Sequence, residues 1–289
     1  MTKKHEIDEV TGVETTGHEW DGIKELNKPL PRWWLLTFYA SIVWAIGYWI
    51  VYPAWPLANG YTKGLWSYSQ RATVASEVKA GVDAQAAMRA QLDKTTLGEV
   101  KKNPELLRFA MAAGAASFQT NCAPCHGRGA QGFVGYPNLN DDDWLWGGTV
   151  DEVHKTIQVG IRNGDDQARA VAMPRFGLDK LLDDKQIAAV TEQVLALSGK
   201  PHDKAALDAG SKVYKEQCAS CHGDDGKGKI DQGAPNLTDG IWLYGGSREA
   251  IVESVRTGRG GVMPAWAPRL DAATVKSLAV YVHSLGGGK

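Results

Sequence analysis

Two copies of one short motif contain all four cysteines of this chain of 289 residues. The sequence CAPCH occupies residues 122–126, and CASCH occupies residues 218–222. The spacing C-x-x-C-H is that of covalent haem attachment, in which two thiols bond the haem vinyl groups and the adjacent histidine binds the iron. We predict two covalently attached haem c groups, bound through Cys122, Cys125, Cys218 and Cys221, with His126 and His222 as the proximal iron ligands.

Two other uses of paired cysteines fit this sequence less well. A zinc site would need both pairs to converge in one fold, but a full domain's length of chain separates Cys125 from Cys218. A thioredoxin-like dithiol needs no histidine after its second cysteine. Two full matches with no cysteine left over favour a dihaem c-type cytochrome.

Methionine is a common second axial ligand of a c-type haem that transfers electrons. Met173 follows the first signature and Met263 the second, and a proline follows each methionine. Because each is the only methionine after its signature within its repeat, we expect Met173 on the first haem iron and Met263 on the second. Packing is the usual role of an isolated methionine, but the matched Met-Pro pairs favour ligation. His154 is the rival ligand in the first repeat, although Val252 stands at the equivalent position.

The repetition extends beyond the two signatures. The triplet Pro-Asn-Leu recurs at residues 137–139 and 235–237, and WLWGG at residues 144–148 corresponds to WLYGG at residues 242–246. Repetition on this scale indicates two tandem copies of one small domain. The fold class that we predict is all-α.

Each repeat is expected to begin with a helix that carries a glycine, Gly114 or Gly210, and to close with a helix, 187–197 or 275–285. The glycine would let the closing helix of the same repeat cross closely over it. The second closing helix has Tyr281 where the first has a glutamine. We therefore expect the crossing in the first repeat to lack an aromatic side chain.

Residues 33–52, WWLLTFYASIVWAIGYWIVY, form an uncharged run. At about 1.5 Å per residue a helix of this length spans roughly 30 Å, the thickness of a bilayer core. A cleaved signal peptide would have a shorter apolar core and a short basic leader, and a buried core helix is seldom so uniformly apolar. Aromatic residues at both ends suit the membrane interface, so a permanent anchor fits best.

The basic residues near this run predict its orientation. Lys24, Lys28 and Arg32 precede it closely, whereas Lys63 and Arg71 follow at a greater distance. The positive-inside rule then places the N-terminus in the cytoplasm. Haem attachment to c-type apoproteins takes place outside the bacterial cytoplasm, which requires the same orientation. The prediction is a single-pass protein of the inner membrane with periplasmic haem domains.

Residues 18–34, HEWDGIKELNKPLPRWW, resemble the segment before the membrane helix in the dihaem subunit (subunit III) of cbb3-type cytochrome c oxidases. The order of anchor, aromatic stretch, helical spacer and two cytochrome domains is similar from about residue 18 to the end of the chain. The resemblance implies a proteobacterial complex that reduces dioxygen to water and pumps protons in aerobic respiration. This chain would then carry electrons and would not be an enzyme in isolation.

The resemblance also implies partners and two further site residues. Electrons would come from a soluble or membrane donor cytochrome c and pass toward the monohaem cytochrome c subunit and the haem–copper catalytic subunit. By the same analogy, the carbonyls of Pro137 and Pro235 would orient the rings of His126 and His222. The lipid bilayer is a further partner, and the net charge of −1 argues against nucleic acid.

Three alternatives belong to other functional classes. A free-standing membrane-anchored dihaem cytochrome, serving a dehydrogenase or nitrogen-oxide reductase, would have no reason to share residues 20–34. A dihaem peroxidase needs one iron with an open or displaceable distal position, and a gas sensor also favours an open or weakly ligated iron. The methionine candidates in both repeats disfavour these two.

The chain is therefore expected to contain five segments. Residues 70–94 are alanine-rich and helical, and both a spacer and a docking surface for another subunit are open as roles for them. The segments are a cytoplasmic N-terminal segment 1–32, a transmembrane helix 33–52, a periplasmic juxtamembrane stretch and helical spacer 53–103, and cytochrome c domains at 104–200 and 201–289.

Overall fold

Helices make up most of the regular structure in a computed structural model that describes residues 6–286. Packing divides the chain between Asp83 and Ala84 into two compact units. The helices are α1 Arg32–Val51, α2 Gln70–Lys94, α3 Leu97–Val100, α4 Pro104–Asn121, α5 Ala123–His126, α6 Val150–Val159, α7 Asp184–Leu197, α8 Leu207–Gln217, α9 Ala219–His222, α10 Arg248–Thr257 and α11 Ala272–Leu285.

The N-terminal unit contains one long apolar helix and two short antiparallel strand pairs. Strands β1 Thr15–Trp20 and β2 Ile23–Leu26 form a hairpin that the sequence analysis did not predict, and β3 Pro56–Leu57 pairs with β4 Gly60–Tyr61. Helix α1 has no buried residue and coincides within one residue with the predicted span 33–52. By length and composition it can cross a membrane.

Local capping sets the ends of the helices near the signatures. The Asn103 side chain accepts hydrogen bonds from two backbone N–H groups at the start of α4, where Pro104 occupies the first turn. Thr149 and Glu152 form a capping box at the start of α6. Helices α6 and α10 end at Gly160 and Gly258, both with positive φ, and Gly258 has the left-handed conformation of a helix cap.

The first hydrophobic core brings together both ends of the C-terminal unit. Helices α4 and α6, which flank the first signature, pack against α11, the last helix of the chain. Leu106 and Phe118 of α4 and Leu278 of α11 are fully buried in this core. Leu92 near the end of α2 is also fully buried there.

The second hydrophobic core is built from consecutive helices. Helix α7 packs on α8, which leads into the second signature, and on α10. Ile187 and Val190 of α7 are buried against Tyr214 of α8. The Glu192 carboxylate, almost buried, binds Arg248 at the start of α10 with a contact of 2.6 Å.

The second core is therefore nested within the first along the chain. The prediction that each closing helix packs on its own repeat is wrong, because α7 packs on α8 and α11 returns to α4. The two closing helices have the same apolar pattern, so either could complete either core. The predicted boundary near residue 200 falls inside the second core, between α7 and α8.

The prediction of which helix crossing lacks an aromatic side chain on its closing helix is also wrong. A side chain at Gly114 would collide with the backbone of Ser277 in α11, and one at Gly210 would collide with Ala189 in α7. The Phe118 and Tyr281 rings lie 5.5 Å apart at the first crossing. The crossing without an aromatic partner on the closing helix is the second, where Gln193 faces Gly210, and not the first.

The C-terminal part of α2 belongs to the first core. The Lys276 ammonium donates to the carbonyls of Leu92, Asp93 and Thr95, at 3.0, 2.7 and 2.9 Å, where α2 ends. Arg89 contacts Asp271 at 2.6 Å. The compact unit that contains both signatures thus begins at Ala84, within the segment predicted as a spacer. Val74, Val78 and Val82 of α2 are exposed.

The nested packing predicts which helices each core substitution loosens. Leu278→Ala removes a fully buried side chain from α11, and such a truncation costs about 2–5 kcal/mol. Amide hydrogen exchange should then accelerate in α4 and α6 while α8 stays protected. Ile187→Ala, the matched control in α7, should loosen α8 and α10 instead. Faster exchange in α8 after Leu278→Ala would contradict the nested arrangement.

Candidate haem-binding sites

Each signature forms one helical turn directly after a long helix. Helix α5 follows α4 through Cys122, and α9 follows α8 through Cys218. The His126 N–H donates to the Cys122 carbonyl at 2.9 Å, and His222 donates to Cys218 at the same distance. The two thiols and the histidine of each signature therefore lie on one turn, as attachment to a single haem requires.

The histidine rings have matching hydrogen bonds. Nδ1 of His126 lies 3.0 Å from the Pro137 carbonyl oxygen, and Nδ1 of His222 lies 3.1 Å from that of Pro235. Burial lowers the pKa of both histidines. A neutral ring that donates from Nδ1 presents the Nε2 lone pair, which is the form that binds a metal ion.

The thiols are unsuited to a redox dithiol. Burial raises the pKa of the Cys122 and Cys218 thiols to about 11. Because the thiolate is the nucleophile in disulfide exchange, such thiols react poorly near neutral pH. Among residues 6–286 there is no cluster of three or more His, Cys, Asp or Glu that could hold a metal ion.

Met173 lies at the second signature. A cavity of about 420 Å³ is lined by Cys218, Cys221, His222 and Met173 together. Met173 also packs against the second core. This placement is opposite to the pairing expected from chain order, which put Met173 on the first haem.

Met263 shares a hydrophobic core with the first signature. It packs against the first core, which also contains Cys122. Its backbone forms an antiparallel bridge with Ile161, just after α6, with both hydrogen bonds at 2.9 Å. The methionines are exchanged because Met263 precedes α11, which returns to the first core.

The exchange is reciprocal at the ends of α6 and α10. A side chain at Gly160 would collide with the Met263 carbonyl, and one at Gly258 would collide with the Met173 carbonyl. Each methionine segment therefore packs closely against the helix end of the other repeat. His154 on α6 lies beside Lys276. Burial is the larger cause that lowers the pKa of His154, and the positive charge of Lys276 lowers it as well.

Two buried indole groups test whether these sites fit a haem. Nε1 of Trp144 and Nε1 of Trp242 are buried and have no hydrogen-bond partner within the described protein. A buried donor of this kind costs free energy unless it has an acceptor. A haem carries two propionate carboxylates, and a propionate at each indole would supply that acceptor. The residues present therefore fit haem at both signatures.

The chain matches two protein-family models that together cover most of its length. Residues 12–59 match the N-terminal domain of cytochrome oxidase-cbb3, FixP. Residues 109–192 and 205–282 match the family described as cytochrome c oxidase, cbb3-type, subunit III. The chain belongs to the subunit III family of cbb3-type cytochrome c oxidases.

Curated relatives support this assignment over the full chain. The cbb3-type cytochrome c oxidase subunit CcoP of Cereibacter sphaeroides is 56% identical over 95% of both chains. The subunit FixP of Bradyrhizobium diazoefficiens is 54% identical over 100% of both, and CcoP of Azospirillum brasilense is 50% identical over 98% of this chain and 99% of its own. The resemblance of residues 18–34 to this family and the predicted all-α class are confirmed.

Two cation–π pairs in the compact unit that contains both signatures were missed by the sequence analysis. The Arg169 guanidinium lies over the Trp146 ring at 5.2 Å, and that of Arg259 lies over the Tyr244 ring at 4.8 Å. Tyr244 packs beside Gly135 of the first repeat. The paired motifs WLWGG and WLYGG, which contain these rings, are recognisable in the sequence. The motifs do not indicate which side chains the rings contact in the folded chain.

A group of acidic side chains near Trp144 makes stability depend on pH. Burial, followed by the charges of Asp239 and Asp141, raises the pKa of Asp143 to about 6. Because the folded state holds this proton more tightly than the unfolded state, Asp143 lowers stability as pH rises from about 4 to 6. Asp143→Asn should therefore raise the thermal midpoint at pH 7 and leave it unchanged at pH 4. The exposed Asp142→Asn is the control, and equal gains at both pH values would contradict the prediction.

Proposed function

We propose that this chain is the membrane-anchored dihaem electron-transfer subunit of a cbb3-type oxidase. It would accept electrons from a donor cytochrome c and pass them toward the haem–copper catalytic subunit. The observation that carries the proposal is the presence of two matching sites, each combining a C-x-x-C-H turn with a methionine, in a chain with a cbb3-type N-terminal module. Dioxygen reduction and proton pumping would belong to the other subunits.

The proposed axial ligands are His126 with Met263 for the first haem and His222 with Met173 for the second. Haem iron supplies a one-electron carrier at each site. The cysteines tether the group, and the carbonyls of Pro137 and Pro235 hold the histidine rings in one orientation. A methionine ligand from Met263 or Met173 would raise the haem potential and close the iron to substrates.

The same ligand sets weigh against the two alternatives that need an open iron. A peroxidase or a gas sensor requires a distal position that substrate can occupy. Met173 and Met263 each lie in the core that contains one signature, so each site has a candidate distal ligand. The free-standing dihaem cytochrome shares these sites and differs only in its partners.

The membrane location rests on α1 and the charges around it. The helix is long enough to span a bilayer, and its flanking Lys24, Lys28 and Arg32 favour a cytoplasmic N-terminus. The haem-binding unit would then face the periplasm of a bacterial inner membrane. Contact with the catalytic and monohaem subunits would involve the N-terminal module, which the family model of cbb3 oxidases matches.

The exchanged ligand pairing can be tested in a chain that carries one haem. Cys122→Ala with Cys125→Ala should leave a single covalent haem, on the second signature, as judged by haem staining after denaturing electrophoresis. In that background Met173→His should abolish the near-infrared charge-transfer band of His/Met ligation and lower the haem potential, because imidazole replaces thioether. Met263→His is the matched control and should leave the band intact. The opposite result would restore the pairing by chain order, and full haem staining of the double variant would refute the attachment sites.

Complex membership can be tested by replacing the N-terminal module. Exchange of residues 18–52 for an unrelated transmembrane helix should keep both haems and the membrane location. It should lower the amount of catalytic subunit that co-purifies with the chain, because the exchanged part carries the family-specific segment. Co-purification at the wild-type level would place the docking surface elsewhere, and no co-purification with the wild-type chain would favour the free-standing cytochrome.

A soluble fragment tests whether the haem-binding unit is an enzyme. The fragment should begin at Ala84, because one that begins after Lys94 would lose the buried Leu92. Soluble donors should reduce it, but it should not consume oxygen when both irons have two protein ligands. Rapid oxygen consumption would contradict the proposed role as an electron carrier.

A further inference from the structure

One arginine side chain reaches both methionine segments. Nε of Arg162 donates to the Gly261 carbonyl at 2.8 Å, and Nη1 donates to the Val171 carbonyl at 2.9 Å. Gly261 lies two residues before Met263, and Val171 lies two residues before Met173. The guanidinium therefore binds the same backbone position relative to each methionine.

The backbone of Arg162 is held in an unfavourable conformation. Its φ of 49° lies in the left-handed region, which non-glycine residues seldom adopt. The preceding residue Ile161 pairs with Met263, and the Arg162 N–H donates to the Arg169 carbonyl at 2.9 Å. Strain of this kind persists where surrounding contacts enforce it, and it is concentrated at functional positions.

The second repeat has no equivalent of this side chain. By the offset of 98 residues that relates the two Pro-Asn-Leu triplets, and also Gly160 to Gly258, Gly260 corresponds to Arg162. A side chain at Gly260 would lie 3.1 Å from Nε of Arg162, so the glycine leaves room for the guanidinium. One arginine of the first repeat thus binds both methionine segments, and the second repeat contributes no matching arginine.

We propose that Arg162 is a positioning residue for both axial methionines and joins the two haem sites through them. This inference rests on the proposed His/Met ligation. A guanidinium with fixed, planar donors holds two carbonyls at a defined separation, which a flexible ammonium cannot do as well. Loss of Arg162 should loosen both methionines, although the residue belongs to only one repeat.

The test measures how readily imidazole displaces each methionine. In a Met263→His background the remaining near-infrared band reports on Met173, and in a Met173→His background it reports on Met263. Adding Arg162→Met should tighten imidazole binding about tenfold in both backgrounds, which corresponds to about 1.4 kcal/mol per site. Arg162→Lys should restore part of the wild-type affinity.

Arg169→Met is the matched control. Arg169 lies in the same loop, and its side chain bonds Thr156 and covers the Trp146 ring, without a hydrogen bond to either methionine segment. It should leave imidazole binding at both haems unchanged. A response as large as that of Arg162→Met would show a general loosening of the loop and overturn the proposal.

Two results separate this inference from the ligation on which it rests. If the single methionine variants do not remove one band each, the proposed ligation fails. If they do, but Arg162→Met changes imidazole binding at one haem or at neither, the ligation stands and the shared role of Arg162 is refuted. Retention of both near-infrared bands in Arg162→Met without imidazole shows that the measured change is not due to unfolding.

Discussion

The close approach of two helix backbones beside each haem signature is the constraint on which the C-terminal unit depends. At Gly114 and Gly210 there is no room for a side chain, because the backbone of a second helix lies against each glycine. Each glycine sits in the helix that leads into a C-x-x-C-H turn. The partner helix therefore completes the wall of the haem site, and its choice decides which part of the chain each site contains.

That choice makes the first haem site depend on the end of the chain. Helix α4 packs on α11, and all helices of the second core lie between these two in the sequence. Helices α7 and α8, by contrast, are neighbours in the sequence. Closing so long a loop adds little free-energy cost, since that cost grows only with the logarithm of loop length. The larger effect is on assembly, because contacts between distant residues form more slowly than local ones. The second core can form from consecutive helices, while the first requires helices from both ends of the C-terminal unit.

The nested order also explains why the two sites share residues. Met173 follows helices of the first core in the sequence but packs in the second core, and Met263 follows helices of the second core but packs in the first. Arg162 binds the segments of both methionines. The Gly135 N–H donates to the Leu243 carbonyl at 2.8 Å, which links the loop after the first signature to the second repeat. In an electron-transfer subunit, this sharing would hold two haem sites in one rigid unit. A pair of independently folded domains joined by a linker would allow them to move apart.

The signature chemistry and the local structure could be predicted from the amino-acid sequence. Covalent attachment needs only the five residues of each signature, and helix caps such as Asn103 and Thr149 act within a few residues, so both could be predicted from neighbouring positions. The anchor followed from length and the absence of charge, and residues 18–34 identified the family. The partner of each closing helix and each methionine was decided only by the tertiary structure. The two repeats present nearly the same apolar pattern, so α7 and α11 are interchangeable in any argument from spacing, and only packing of the whole unit distinguishes them. Arg162 could not be recognised for the same reason, because its role depends on two carbonyls that are remote from each other in the sequence.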